Sequence, residues 1–307
     1  MASARRYVEE TLLNAELVKL LPKFLAPIIG GALSRCLNSH KIFFNSLIPA
    51  TEQRILEKDM KSNGYQIPQR ADCIQWIIET APKQSPWSAE RVIYELMAIW
   101  FGSTIVYVIH DLCLHPEYIE PIRRELEASY EDFERTGQGL PLLDSFIKES
   151  TRLTPVEFMS VRRQALQPFV LSDGTTVAVN EWACAPSGAI NTCAEYYPYP
   201  ETFSGFRFVD STMLPNTQEY PTPTATQTNP SKLTDVDPSF LMWGTGRMAC
   251  PGRYYASAFM KVVIAQLLMS YDFKLVNPGA TRWISWRVAK IPKPWTKVAL
   301  TARNGGP

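Results

Sequence analysis

The chain has 307 residues, 46% of them hydrophobic, which suits a globular protein with one large core or two ordinary domains and excludes a disordered chain. With 31 basic against 30 acidic residues the net charge is +1, so no overall field draws in nucleic acid or an acidic polymer. The six cysteines (36, 73, 113, 184, 193 and 250) form no CxxC pair and no zinc spacing with His40, His110 or His115, which suits reduced thiols in an intracellular protein.

No signal-peptide pattern opens the chain. An amphipathic run predicts a first helix at 7–20. Residues 17–33, LVKLLPKFLAPIIGGAL, contain two lysines and two prolines and suit a helix–loop–helix on a membrane surface better than a span. Further helices are predicted at 39–62, 70–81, 88–113, 117–135 and 141–153. Within 88–113, residues 92–109 are apolar nearly all round yet include Glu95 and are barely long enough to cross a bilayer, which predicts a buried central helix rather than a transmembrane one. Ser88 is placed to cap that helix, with Glu90 in its first turn and Pro116 beyond its end.

The texture then changes. FVLSDGTTVAV, 169–179, sets an Asp-Gly turn between β-rich runs and predicts a hairpin, so the fold class is mainly α with a small β-sheet. Residues 211–238 hold seven threonines and five prolines without a period and read as a loop. Beyond it, YYASAFMKVVIAQLLMSY is apolar on almost every face and predicts a buried helix. No internal repeat is visible.

The chemistry concentrates just before that helix, in Trp243-Gly244-Thr245-Gly246-Arg247-Met248-Ala249-Cys250-Pro251-Gly252. Gly244, Gly246 and Gly252 let the backbone bend closely around a flat ligand, and Pro251 stiffens the turn. The positive end of the helix dipole favours a thiolate at Cys250, and a thiolate under a planar metal cofactor pushes electron density onto iron. An inert cysteine in a Gly/Pro turn is the plainer alternative. Upstream, Glu149 and Arg152 stand at i, i+3 on one helical face, a spacing that is usually only a solvated ion pair.

Together these segments resemble the cytochrome P-450 family. The decade ending at Gly252 resembles its haem-binding signature, with Trp243 where the family usually has Phe. Glu149-Ser150-Thr151-Arg152 resembles its Glu-x-x-Arg pair, and Arg207 in FSGFRF resembles the second arginine that joins that pair. The likeness runs on through DLCLHPEY and EYYPYPETFSGFRF, with the texture of filamentous-fungal members. It implies that Cys250 is the axial ligand of haem b (iron protoporphyrin IX), and that Glu149, Arg152 and Arg207 are structural. Arg247, one step before the position where the family often has His or Arg, and Arg162 or Arg163 in VEFMSVRR are candidates to reach the propionates, with plain surface arginines as the alternative for the latter two. Thr104 is the available relay hydroxyl in Phe101-Gly102-Ser103-Thr104-Ile105-Val106, and a core threonine is the alternative. No carboxylate stands beside it, and the interval to Asp111-Leu112 is shorter than in the family by about one and a half helical turns, which would rotate the remaining face.

The resemblance further implies a single partial domain over 1–307, the C-terminal part of the fold, beginning near its middle. Its parts are a helical stretch 1–153, sheet and loop 154–210, the Thr/Pro-rich loop 211–238, the haem loop and buried helix 239–275, and a C-terminal segment 276–307. The implied activity is monooxygenation of an apolar small molecule in fungal secondary metabolism, with NADPH-cytochrome P-450 reductase as partner. The implied location is the cytosolic face of the endoplasmic reticulum, with no anchor in this chain and surface contact through 17–33. A non-catalytic remnant and a haem-free interaction protein are the competing expectations.

Overall fold

The structure is a computed structural model that describes residues 39–67, 73–81, 87–97, 102–214, 230–286, 288–293 and 295–303, with a few single positions before residue 39. The helix expected at 7–20, nearly all of 17–33, and the middle of the 211–238 loop lie outside the described residues. Two compact units divide the chain at 100/101, and each is taken by itself.

In the first unit, α1 (Ser39–Ser62), α2 (Cys73–Thr80) and α3 (Ala89–Met97) pack on one another. Ile77, Ile78 and Val92 are buried between them, flanked by Ile55, Ile74 and Trp87. Lys58 at the end of α1 donates to the Ile78 carbonyl at 2.8 Å, tying α1 to α2. Ser88 caps α3 as its position predicts: its carbonyl accepts from Val92 N–H at 3.0 Å and its hydroxyl from Arg91 N–H at 3.3 Å. Hydrogen bonding from its own backbone N–H and then from the Ser88 side chain holds the Glu90 carboxyl below its ordinary range.

The 88–113 helix of the sequence pattern is thus described as α3 and, in the second unit, α4 (Gly102–Leu114); residues 98–101 are outside the described set. After a 3-10 turn at Pro116–Tyr118 come α5 (Ile119–Thr136) and α6 (Pro141–Leu153). Strands β1 (Ser160–Gln164), β2 (Phe169–Val170), β3 (Thr176–Val177) and β4 (Trp182–Ala185) follow, then the short α7 (Ser187–Asn191). The long α8 (Arg253–Ser270) leads into β5 (Tyr271–Leu275), β6 (Trp283–Trp286), β7 (Ala289–Pro292) and β8 (Val298–Ala302). The small sheet is distributed over four antiparallel pairs, β1–β4, β2–β3, β5–β8 and β6–β7.

Helices α4, α5, α6 and α8 pack together around the main core, which includes Leu112, Ile122, Leu126, Phe146, Met260 and Ile264. Gly205 lies against this core where no side chain fits: an added Cβ would sit 2.8 Å from the Phe146 and Tyr118 rings. Helix α8 corrects the expectation of burial all round. Ala256, Met260, Ile264 and Leu268 are buried, but Tyr254, Phe259 and Val262 are 61%, 39% and 38% exposed. The reason is one-sided packing, since its buried positions recur at helical spacing and form the single face that meets α4, α5 and α6.

No helix among the described residues is long and apolar enough to cross a membrane.

Candidate functional site

The loop from Trp243 to Gly252 is closed on itself. Trp243 is buried, and its indole N–H donates to the Leu233 carbonyl at 2.6 Å, anchoring the loop's start. Gly244, at φ +74°, turns the chain through the left-handed region that a side chain resists. A 3-10 turn over Gly246–Met248 follows, and Ala249 N–H donates back to the Gly246 carbonyl at 3.1 Å. Cys250 N–H then donates to the Trp243 carbonyl at 2.7 Å, while the Cys250 carbonyl accepts from the Arg253 guanidinium at 3.0 Å. Arg253 also donates to the Thr234 carbonyl at 3.1 Å. Cys250 is therefore fixed on both sides of its peptide, two residues before Gly252, the N-cap of α8. Its thiol is free and partly exposed, packed on the rim of the main core.

A buried charge cluster supports the neighbouring fold. Arg152 makes a bidentate pair with Glu149, at 2.7 and 2.8 Å, and Arg207 Nε approaches both carboxylate oxygens at 3.1 and 3.0 Å. All three side chains are fully buried. The remaining donors are satisfied by loop carbonyls: Arg152 reaches Asn191 and Pro200, both at 2.6 Å, and Arg207 reaches Pro198 at 2.6 Å and Thr202 at 2.9 Å. Burial pulls the Arg207 pKa down, and the Glu149 carboxylate opposes that. The cluster thus clamps the segment 191–207 onto α6, with Tyr197 stacked at 4.9 Å from the Arg152 guanidinium.

The other residues singled out in the sequence are less gathered. Val161, at φ 51°, forms a bulge in β1 between Ser160 and Arg163, and both Arg162 and Arg163 come out exposed. Arg162 is paired with Glu157, and Arg163 turns back to the Arg162 carbonyl at 2.8 Å. Arg247 is exposed, with no hydrogen-bond partner among the described residues. Thr104 is buried in the first turn of α4. β1 joins the loop directly: Ser160 Oγ donates to the Leu241 carbonyl at 3.0 Å, which also accepts from Gly244 N–H at 3.1 Å.

A polar network on α4 carried no sequence signal. Asp111 accepts from Ser150 at 2.5 Å and from Arg282 at 2.7 Å, a partner 171 positions away that no local spacing could reveal. Burial pushes the Asp111 carboxyl up against the pull of Arg282. His110 beside it is pushed down to about 4 by burial and by the Arg282 charge, and its Nδ1 is buried without a partner among the described residues.

Comparison with known proteins bears on the whole of this arrangement. The family described as Cytochrome P450 matches residues 14–294. The Cytochrome P450 monooxygenase olcJ of Penicillium canescens is 30% identical over 97% of this chain and 56% of its own length. The Cytochrome P450 monooxygenase hepE of Aspergillus oryzae is 32% identical over 97% of this chain and 54% of its own. The chain spans about half the length of the curated relatives it matches. Among solved structures, that of a cytochrome P450 (CYP102L1) superposes with a TM-score of 0.59 over 89% of this chain and 58% of that one, at 19% identity, a likeness of fold. A family match across both units and a shared fold lead to one conclusion: the chain belongs to the cytochrome P450 family, whose cofactor is haem b.

Proposed function

We propose that the chain provides the haem-thiolate site of a fungal monooxygenase acting on an apolar small molecule in secondary metabolism, with Cys250 as the axial ligand. The observation that carries this is the closed loop that holds one free thiol just ahead of α8, its peptide fixed by the Trp243 carbonyl and by Arg253. The donor set fits. Haem-thiolate ligation asks the protein for one cysteine, and Cys250 is a free, partly exposed thiol. Haem on a thiolate supplies the activation of dioxygen and the insertion of one oxygen atom into substrate.

The residues divide the remaining work. Gly244 and Gly246, both at positive φ, keep the loop free of side chains where a flat group would approach, and Trp243 and Gly252 bound it. Arg247 has an unengaged guanidinium for a propionate, while Arg162 would have to leave Glu157, and Arg163 the Arg162 carbonyl, to serve in that role. Thr104 is the hydroxyl offered by α4 for holding a proton near the substrate. Glu149, Arg152 and Arg207 maintain the framework. Electrons come from NADPH-cytochrome P-450 reductase at the cytosolic face of the endoplasmic reticulum, with residues 17–33 on the membrane surface.

The test is spectroscopic. The full chain, reconstituted with haem, reduced and treated with carbon monoxide, is expected to give the red-shifted Soret band of thiolate ligation, and Cys250→Ala to abolish it. No such band from the unaltered chain overturns the proposal, and a band that survives Cys250→Ala overturns the ligand assignment. Product formation with NADPH and reductase then separates a monooxygenase from a haem-binding remnant.

A further inference from the structure

Lys290, on β7, is a half-buried cation between two aromatic rings. Its Nζ lies 4.9 Å from the centre of the Phe158 ring and 4.6 Å from that of Trp283. The cage is fixed by backbone pairing: Lys290 N–H donates to the Val156 carbonyl at 3.1 Å, and Phe158 N–H to the Val288 carbonyl at 2.6 Å. Among the described residues no carboxylate pairs with Lys290, and the two acids that neighbouring segments place here are engaged elsewhere, Glu157 by Arg162 and Asp111 by Arg282 and Ser150.

The balance of energies makes the gap informative. Aromatic faces offset only part of what a cation loses as it leaves water, and a carboxylate would offset more. The imbalance is registered in Lys290 itself, whose pKa is held down by burial and then by the charge of Arg282, which leans on the same indole at 5.6 Å. Lys290, Phe158 and Trp283 are all only partly buried, so a ligand can reach them.

The cage is tied through its elements to the candidate haem site. Phe158 precedes by two positions Ser160, which is bonded to the loop that leads into Cys250, and β7 packs on α4, the helix that carries Thr104. We propose that Lys290 anchors a carboxylate on the ligand of this site, so that the preferred ligand is an apolar molecule bearing one anionic group. The placement beside the reacting centre rests on the assignment of Cys250; the anion site itself does not.

Binding of decanoate and of decanol to the full chain, measured by titration calorimetry with and without haem, tests this. Decanoate is expected to bind at least tenfold more tightly than decanol; Lys290→Met should remove that preference while decanol affinity stays unchanged, and Lys290→Arg should keep it. Should Lys290→Met not fold, Lys290→Gln takes its place. No preference for decanoate in the unaltered chain, or a preference that survives loss of the lysine charge, overturns the proposal. A preference that depends on Lys290 in a chain lacking the thiolate Soret band would uphold the anion site and fail only the reading of Cys250.

Discussion

The same sequence spacing can mean very different things in this molecule. Arg135 and Asp132, three residues apart on α5, pair at 2.8 Å with both side chains more than 70% exposed, while Glu149 and Arg152 pair at 2.7 Å with neither exposed at all. An exposed pair of this kind contributes at most about 0.5 kcal/mol. Removing one partner of a buried cluster leaves an uncompensated charge at a cost of about 3–5 kcal/mol. Glu149→Gln, which leaves two buried guanidiniums without their shared carboxylate, is therefore expected to lower the unfolding free energy by about 3–5 kcal/mol, and Arg135→Met to leave it nearly unchanged, in urea denaturation of the two variants. Equal effects would contradict the assignment of Glu149 and its arginines as framework. The sequence made Glu149 and Arg152 visible as an i, i+3 pair, but their burial and the identity of the third member came from resemblance alone. The Asp111–Arg282 pair and the Phe158 wall of the Lys290 cage were invisible, because each joins segments far apart in sequence.

At the level of elements, helix boundaries were the most legible feature. Capping and proline placement mark them locally, and α1 (Ser39–Ser62), α5 (Ile119–Thr136) and α6 (Pro141–Leu153) lie where the periodicity predicts them. What the pattern could not show is how α6 begins. Leu140, at φ 58°, offers no side-chain cap, and the first amides are taken instead by Glu125 from α5, which accepts from Leu142 N–H at 2.7 Å and Leu143 N–H at 3.0 Å. Burial nevertheless pushes the Glu125 carboxyl up to about 7 from an ordinary 4.5, against those amides and Lys261. A carboxyl raised in the folded state binds its proton more tightly there than in the unfolded chain. Its contribution is therefore fully present below about pH 4.5 and is lost as pH rises through about 7. Compared with Glu125→Gln, which keeps one acceptor and cannot ionise, the unaltered chain should lose on the order of 1–3 kcal/mol between pH 5 and pH 7.5. Urea midpoints of both proteins at the two pH values measure this, and parallel pH profiles would show that the amides and Lys261 outweigh burial.

At the scale of the whole molecule, the buried clusters of the two units differ in extent among the described residues. Among the described residues the first unit gathers its interior around Ile77, Ile78 and Val92, whereas the second joins four helices and β5 over a core that runs from Val108 to Phe273. The single partial domain over 1–307 is what the family resemblance implies, while the apolar run 92–109 predicts only a buried helix; the division at 100/101 falls within that run, and periodicity reports the face of a helix but not the compact unit around it. Local opening follows buried apolar contact, so a small core opens at lower cost than a large one. In native-state hydrogen exchange, amides of α2 and α3 are therefore expected to exchange well before those of α5, α6 and α8. Ile77→Ala, which removes part of the smaller core at a cost of about 2–5 kcal/mol, should speed exchange in α1 to α3 and leave protection of α5 and α6 where it was. Uniform protection across the chain, or a loss of protection in α6 on mutating Ile77, would mean that the two cores unfold as one.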